Sequence, residues 1–359
     1  MNFMKRRLAV LLVLVFSLAL IAGCGGKAAA PAPAEAPKTA EPQKAAPPAP
    51  ATVKVGNVSS LLFAPFYVAM EKGYFQEQNI TVQLENLQAG QDAMVFLANG
   101  QLDFVLAGYS AALFNAVSRG MDLKVIAPMG IQPKQGDPSP LVVRTDLVQS
   151  GAVTSAKDLK GKKIAAAGGA GATGSFLIAL RLQKYGLALS DVELVNLGLP
   201  DQQAGLANKA VDAALMSEPY STKAIADGTG SAVDKGVLAG VNASGLLTSG
   251  AMLKDKADVV NRFTTALLKA ARDIQGDKFK SDENIGFFAK YTKLAPDVLK
   301  NVTPYDFDTN FALTSPNRDL GALQEIMAKA GILKLQSPVD VAKVVDGGPA
   351  AAAVAKLGK

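Results

Sequence analysis

Leu97-Ala98-Asn99-Gly100-Gln101-Leu102-Asp103-Phe104-Val105-Leu106 returns 109 residues later as Leu206-Ala207-Asn208-Lys209-Ala210-Val211-Asp212-Ala213-Ala214-Leu215. Each copy reads as the end of a helix, a turn and a buried strand. Val82, Leu84, Asn86 and Leu87 likewise match Val192, Leu194, Asn196 and Leu197. Around the first copy, β-branched alternation predicts a strand over 53–58. A helix follows over 64–72 closed by Gly73, then a strand over 81–87, a helix over 92–99 closed by Gly100, and a strand over 102–107. Around the second copy the same order is predicted: strand 163–167, helix 175–185 closed by Gly186, strand 192–197, helix 202–208 and strand 211–216. The β-α-β-α-β order is that of a parallel α/β layer. A duplicated layer predicts two α/β lobes with a ligand cleft where the carboxyl ends of their strands meet.

The apolar stretches 140–144 and 246–249 flank the second copy and are expected to be two crossings between lobes, a hinge that permits closure. Lobe one is then 53–142 plus 250–359, and lobe two is 143–249. Residues 257–274 carry Val259, Val260, Phe263, Leu267, Leu268 and Ala271 at helical spacing, and the rest reads as helical decoration.

Composition narrows the chemistry. The 359 residues include no His and one Cys, so a Ser-His-Asp triad, a Cys-His pair, a His-ligated metal and an intrachain disulfide are all excluded. Acid–base work would fall to carboxylates, Lys or Tyr. The formal charge of +6 invites a nucleic-acid reading, but Lys5, Arg6 and Arg7 supply half of it. These three precede a 15-residue weakly polar-to-apolar run, too short for the ~20 residues of a spanning helix. A basic start, a short apolar run and a small-residue exit form a secretory signal over 1–23. Its exit, Leu20-Ile21-Ala22-Gly23-Cys24, resembles a bacterial lipobox, so the single Cys is expected to carry lipid on its thiol. Ala, Pro, Lys, Glu and Gln dominate 24–52, which reads as an extended tether. With the signal removed the body is nearly neutral, and no nucleic-acid partner is expected.

Phe63-Ala64-Pro65-Phe66-Tyr67-Val68-Ala69-Met70-Glu71-Lys72-Gly73-Tyr74-Phe75 looks like a family signature. So do Asn99-Gly100-Gln101-Leu102-Asp103-Phe104, Lys157-Asp158-Leu159-Lys160-Gly161-Lys162-Lys163-Ile164, and Val211-Asp212-Ala213-Ala214-Leu215 with Glu218-Pro219-Tyr220. In this order they resemble the ABC-importer solute-binding lipoproteins for taurine, alkanesulfonates, nitrate and the thiamine pyrimidine, the NMT1/THI5-like family. The resemblance runs from about Val53 to Tyr220 and more loosely to Ile274. It implies a type II periplasmic-binding-protein fold, a small-molecule ligand, and delivery to an ABC permease with its ATPase. It implies no cofactor, no metal and no catalysis. The last ~80 residues match no motif.

Six loops fall at the predicted strand ends: 59–65, 88–91, 108–110, 168–173, 198–201 and 217–220. In 168–175 the glycines precede a helix whose N-terminus attracts anions. Gly169-x-Gly171-x-x-Gly174 spells a dinucleotide fingerprint, but its lobe-one counterpart has no such pattern. Gly171, Thr173, Gly174 and Ser175 are therefore expected to donate to a ligand oxygen, the alternative being a turn that only needs glycine. Glu218 is expected to meet a ligand amine or ring N–H, the alternative being a hinge salt bridge. Tyr67, Tyr109 and Tyr220 could stack on a ligand, Tyr67 being equally readable as core. Phe63, Gln88, Gly108 and Ser110 complete the expected lining. No Lys or Arg occurs in the six loops, which turns the expectation from nitrate or a cation-held sulfonate towards a ligand with a donor-bearing or aromatic part, such as a pyrimidine or an amino-sulfonate. The expected protein is a monomer, lipid-anchored outside the cell membrane; an enzyme or a ligand sensor on the same fold is the alternative.

Overall fold

The computed structural model describes residues 48–87, 90 and 93–358. The signal segment, Cys24, most of the tether and Gln88 lie outside the described residues. In chain order the strands are β1 (Ala51–Asn57), β2 (Ile80–Asn86), β3 (Phe104–Gly108), β4 (Leu123–Pro128), β5 (Leu141–Arg144), β6 (Lys163–Ala166), β7 (Glu193–Asn196), β8 (Ala213–Leu215), β9 (Gly230–Val233) and β10 (Ser244–Ser249). They form two sheets, β2-β1-β3-β10-β4 and β7-β6-β8-β5-β9. The two orders are the same plan. β1 pairs in parallel with β2 and β3, β6 with β7 and β8, and the fourth strand of each sheet is antiparallel to the third.

The sequence repeat has a physical counterpart. The Asp103 carboxylate accepts from the Lys54 backbone N–H at 2.9 Å, and Asp212 accepts from Lys163 N–H at 2.9 Å. Each aspartate also donates its own backbone N–H to the carbonyl of the same lysine, at 2.9 and 2.8 Å. Both therefore lock the turn between a helix and its third strand onto the first strand. Their side chains satisfy a donor at the strand start that the ladder does not reach.

Two expectations need correcting. The stretches read as crossings are strands. β5 is buried between β8 and β9, and β10 between β3 and β4. An apolar run with every backbone group to satisfy is better placed inside a sheet than spanning two lobes. The crossings are instead 129–140, broken by Gly130, Pro133, Gly136, Pro138 and Pro140, and 234–243. They pair with each other: Ile131 bridges Asn242, and Gln132 N–H donates to the Val241 carbonyl at 2.9 Å. The ordered chain also begins before the expected tether boundary, since Ala51 and Thr52 already pair with Ile80 and Thr81.

The C-terminal third is more than decoration. Helix Ala257–Asp273 packs Phe263 face to face on Phe104 at 4.1 Å and on Phe75 at 4.6 Å, closing the core under β1–β3. Helix Thr314–Lys329 packs against helix Ala111–Ser118 beside the first sheet and helix Thr173–Gln183 beside the second, so its Leu320, Leu323 and Met327 join one apolar cluster drawn from both. Residues 344–346 pair alongside β4 and cover that sheet edge.

Candidate ligand cleft

The strand ends meet in a closed cleft. Ala111 N–H donates to the Gly171 carbonyl at 2.8 Å, and the Thr173 hydroxyl donates to the Tyr109 carbonyl at 2.9 Å. On a second flank, Leu61 N–H and the Ser60 hydroxyl both donate to the Glu218 carbonyl, at 3.1 and 3.3 Å. Each such bond is worth about 0.5–1.5 kcal/mol net, so a few kcal/mol hold this closure. The space left inside is about 80 Å³, room for a small molecule or a handful of waters.

Helix N-termini aim at this cavity. Ala172, Thr173 and Gly174 line it, and helix Thr173–Gln183 has no side-chain cap among the described residues. Its first-turn N–H groups lack intrahelical acceptors and carry the positive end of the helix dipole. Gly168, Gly169 and Gly171 make the approach possible, with φ of 82°, 66° and 85°. The Asn196 side chain accepts from Gly168 N–H at 3.0 Å and fixes the turn. Facing it, helix Ala111–Ser118 starts at Ser110, whose side chain makes no cap. The Ser110 hydroxyl is buried, lines the cavity and finds no hydrogen-bond partner among the described residues. A buried hydroxyl without a partner costs about 1–3 kcal/mol, which a ligand would recover.

Of the residues singled out from the sequence, Phe63, Gly108, Ser110, Thr173 and Gly174 line the cavity. Gly171 and Ser175 shape its wall instead: the Ser175 hydroxyl accepts from Gly171 N–H and donates to the Ala172 carbonyl. The other three aromatic candidates do not line it. Tyr67 is fully buried, stacked on Tyr291 at 4.5 Å, with its hydroxyl accepting from Asn57 and Ser60; burial pushes its phenol up to about 12. The Tyr109 hydroxyl is spent on Asn242 at 2.8 Å, and burial again raises its pKa. Tyr220 opens helix Tyr220–Ala226 outside the cavity.

Glu218 is the larger correction. Its carboxylate accepts from Thr222 N–H, the Thr222 hydroxyl at 2.8 Å and Thr303 N–H at 3.1 Å. Burial raises its pKa against these bonds. Neither a ligand amine nor a lysine is its partner. It pins the second lobe to the C-terminal segment, and only its backbone carbonyl reaches the cleft.

Ser60, Gln132 and Ser217 line the cavity and were missed as candidates. Ser60 had a readable signal, since its hydroxyl caps the turn Leu61–Phe63 by accepting from Leu62 N–H. Gln132 had none: its place depends on the pairing of the two crossings. Val58, Leu62, Leu177, Leu199 and Leu215 supply apolar walls. Among the described residues no charged side chain lines the cavity.

Residues 61–277 match the family model described as NMT1/THI5 like. The chain belongs to the NMT1/THI5-like family. Over 221 residues this NMT1/THI5-like protein is 27% identical to a Bacillus subtilis protein named for binding aliphatic sulfonates, a match spanning 60% of this chain and 58% of that one. It is 25% identical to the riboflavin-binding protein RibY of Chloroflexus aurantiacus over 94% of this chain and 96% of that one. Among solved structures, the alkanesulfonate-binding protein SsuA from Xanthomonas axonopodis pv. citri, bound to MOPS, superposes with a TM-score of 0.69 at 21% identity, covering 83% of this chain and 98% of that one. The fold is therefore the two-lobed periplasmic-binding-protein fold that the repeat implied.

Proposed function

We propose that this NMT1/THI5-like protein is the extracytoplasmic solute-binding component of an ABC importer, and that its solute is a small organic oxyanion of the sulfonate class. The observation that carries the ligand class is the uncharged cavity at the N-terminus of helix Thr173–Gln183, completed by the unpartnered Ser110 hydroxyl. Backbone N–H groups and a helix dipole hold an anion without a counter-cation. A small closed cavity favours a solute of a few heavy atoms over one of flavin size, because pockets for drug-sized ligands run to ~300 Å³ and above. With no titratable lining among the described residues, the cleft has no general acid or base to act on what it holds, which supports capture and release rather than catalysis. Cys24 would carry the lipid that holds the monomer at the outer face of the membrane, where an ABC permease with its ATPase would receive the solute.

The test is isothermal titration and thermal shift of the full chain in detergent against alkanesulfonates, taurine, nitrate and riboflavin. A true ligand raises the melting temperature as RT ln(1 + [L]/Kd) dictates. Sulfonates are expected to bind and riboflavin not. Stabilisation by riboflavin alone would overturn the oxyanion reading.

A further inference from the structure

The cavity has a second polar wall, of opposite hydrogen-bonding sense. Gln132 lies on the first crossing, 4% exposed, and lines the cavity. Its side chain meets the Ser139 hydroxyl at 3.0 Å, Ser139 meets the Tyr305 hydroxyl at 2.8 Å, and Tyr305 meets the Pro138 carbonyl at 2.8 Å. A carbonyl only accepts, so the phenol proton points at Pro138. The Ser139 proton must then point at the Tyr305 oxygen, since two oxygens at that distance without a proton between them repel. That leaves Ser139 only a lone pair for Gln132, which must offer its amide Nε2. The direction of the whole chain is thereby set, and Gln132 Oε1 is left as an acceptor with no protein partner among the described residues.

The chain is anchored. Arg181 is fully buried, donates to the Ser139 carbonyl at 2.7 Å and pairs with Asp137 at 2.7 Å; Asp137 accepts from Ser139 N–H at 3.1 Å. Ser139 and Tyr305 are thus positioning residues for the Gln132 amide.

We infer that the solute of this cleft carries a neutral O–H or N–H donor away from its oxyanion end, which Gln132 Oε1 accepts, so that the protein selects hydroxy- or amide-bearing sulfonates over plain alkyl ones. This rests on the oxyanion reading above. A neutral donor fits better than an ammonium, because an ammonium leaving water needs a carboxylate and the nearest one, Glu218, is engaged elsewhere. Geometry alone makes the selection: a plain alkyl chain would leave the Gln132 acceptor desolvated and unpaired.

The experiment is titration of the full chain with two matched pairs, 2-hydroxyethanesulfonate against ethanesulfonate and 3-hydroxypropanesulfonate against propanesulfonate, plus taurine. In the unaltered protein at least one hydroxy member is expected to bind tenfold or more tightly than its partner. Gln132→Met should erase that ratio while leaving the plain alkanesulfonate Kd within about twofold. Ser139→Ala removes the acceptor that orients the amide, lets it flip, and should cut the ratio at least threefold; it serves if Gln132→Met does not fold. Equal binding within both pairs overturns the Gln132 inference and leaves the oxyanion reading standing. Taurine binding more tightly than both hydroxy compounds overturns the neutral-donor assignment. Binding of none of the five sulfonates overturns both readings.

Discussion

Gly108 and Thr173 approach across the cleft until no atom fits between them: a Cβ on Gly108 would lie 1.8 Å from Thr173 Oγ1 and 2.7 Å from Thr173 Cβ. Rotating the threonine relieves the first clash and not the second. The contact belongs to the closed cleft, and it makes the glycine a condition of closure rather than of folding.

Gly108→Ala is therefore expected to fold normally, since the position does not need a left-handed backbone. It should wedge the lobes apart and weaken solute binding at least tenfold, about 1.4 kcal/mol. Titration gives the Kd, and small-angle scattering should show that saturating solute no longer shrinks the radius of gyration. An unchanged Kd would mean that closure does not accompany binding.

Ser110→Ala should separate stability from binding. The hydroxyl is buried without a partner among the described residues, so its loss is expected to leave the solute-free melting temperature unchanged or slightly higher. The solute should bind more weakly by about 0.5–1.5 kcal/mol. A variant that binds as tightly as the parent would show that the ligand does not use Ser110.

Arg181 and Asp137 are a buried pair, with side chains 0% and 3% exposed. Removing one partner strands the other in the core, so Asp137→Asn or Arg181→Met should cost about 3–5 kcal/mol in urea unfolding. The double substitution should cost less than the sum of the two.

Glu218 contributes a pH dependence of known sign. Burial raises its folded-state pKa above that of the unfolded chain. The native state then holds the proton more tightly, so this group's stabilisation is full below the unfolded value and is lost as pH rises through the folded one. Urea unfolding of the unaltered protein and Glu218→Gln, compared from pH 4 upward, should show their stability difference changing through that window in the variant's favour. The solute Kd should not change, since the carboxylate faces Thr222 and Thr303 rather than the cavity. A tenfold loss of affinity would return Glu218 to the site.

Cys24→Ser is expected to move the protein from the membrane fraction to the medium or periplasm in its host, as acyl chains contribute about 0.8 kcal/mol per buried CH₂. Detergent phase partitioning reads the change. A parent protein that already partitions to the aqueous phase would exclude the lipid.

Local patterning was enough for the elements of both repeats, because hydrophobic period and helix-closing glycines are short-range signals. Gly73, Gly100 and Gly186 indeed sit at φ of 73°, 68° and 70°. The glycine-rich approach to helix Thr173–Gln183 and the lining by Phe63, Gly108 and Ser110 were legible for the same reason: loops at strand ends can be named once the strands are. The aromatic and acidic candidates were not. Tyr67, Tyr109 and Glu218 lie close to the cleft in sequence, but what a side chain faces depends on partners such as Tyr291, Asn242 and Thr303, 85 to 224 residues away along the chain.

The sequence by itself thus determined a duplicated α/β layer, a cleft between the copies and the absence of histidine chemistry. Each of these follows from composition or from periods shorter than a dozen residues. Only the tertiary structure decided which apolar runs are strands and which segments cross, that Glu218 pins the C-terminal segment, and that Gln132 shows the cavity an acceptor. Those outcomes depend on satisfying every buried donor and acceptor at once, and that condition is met between residues whose separation no local pattern records.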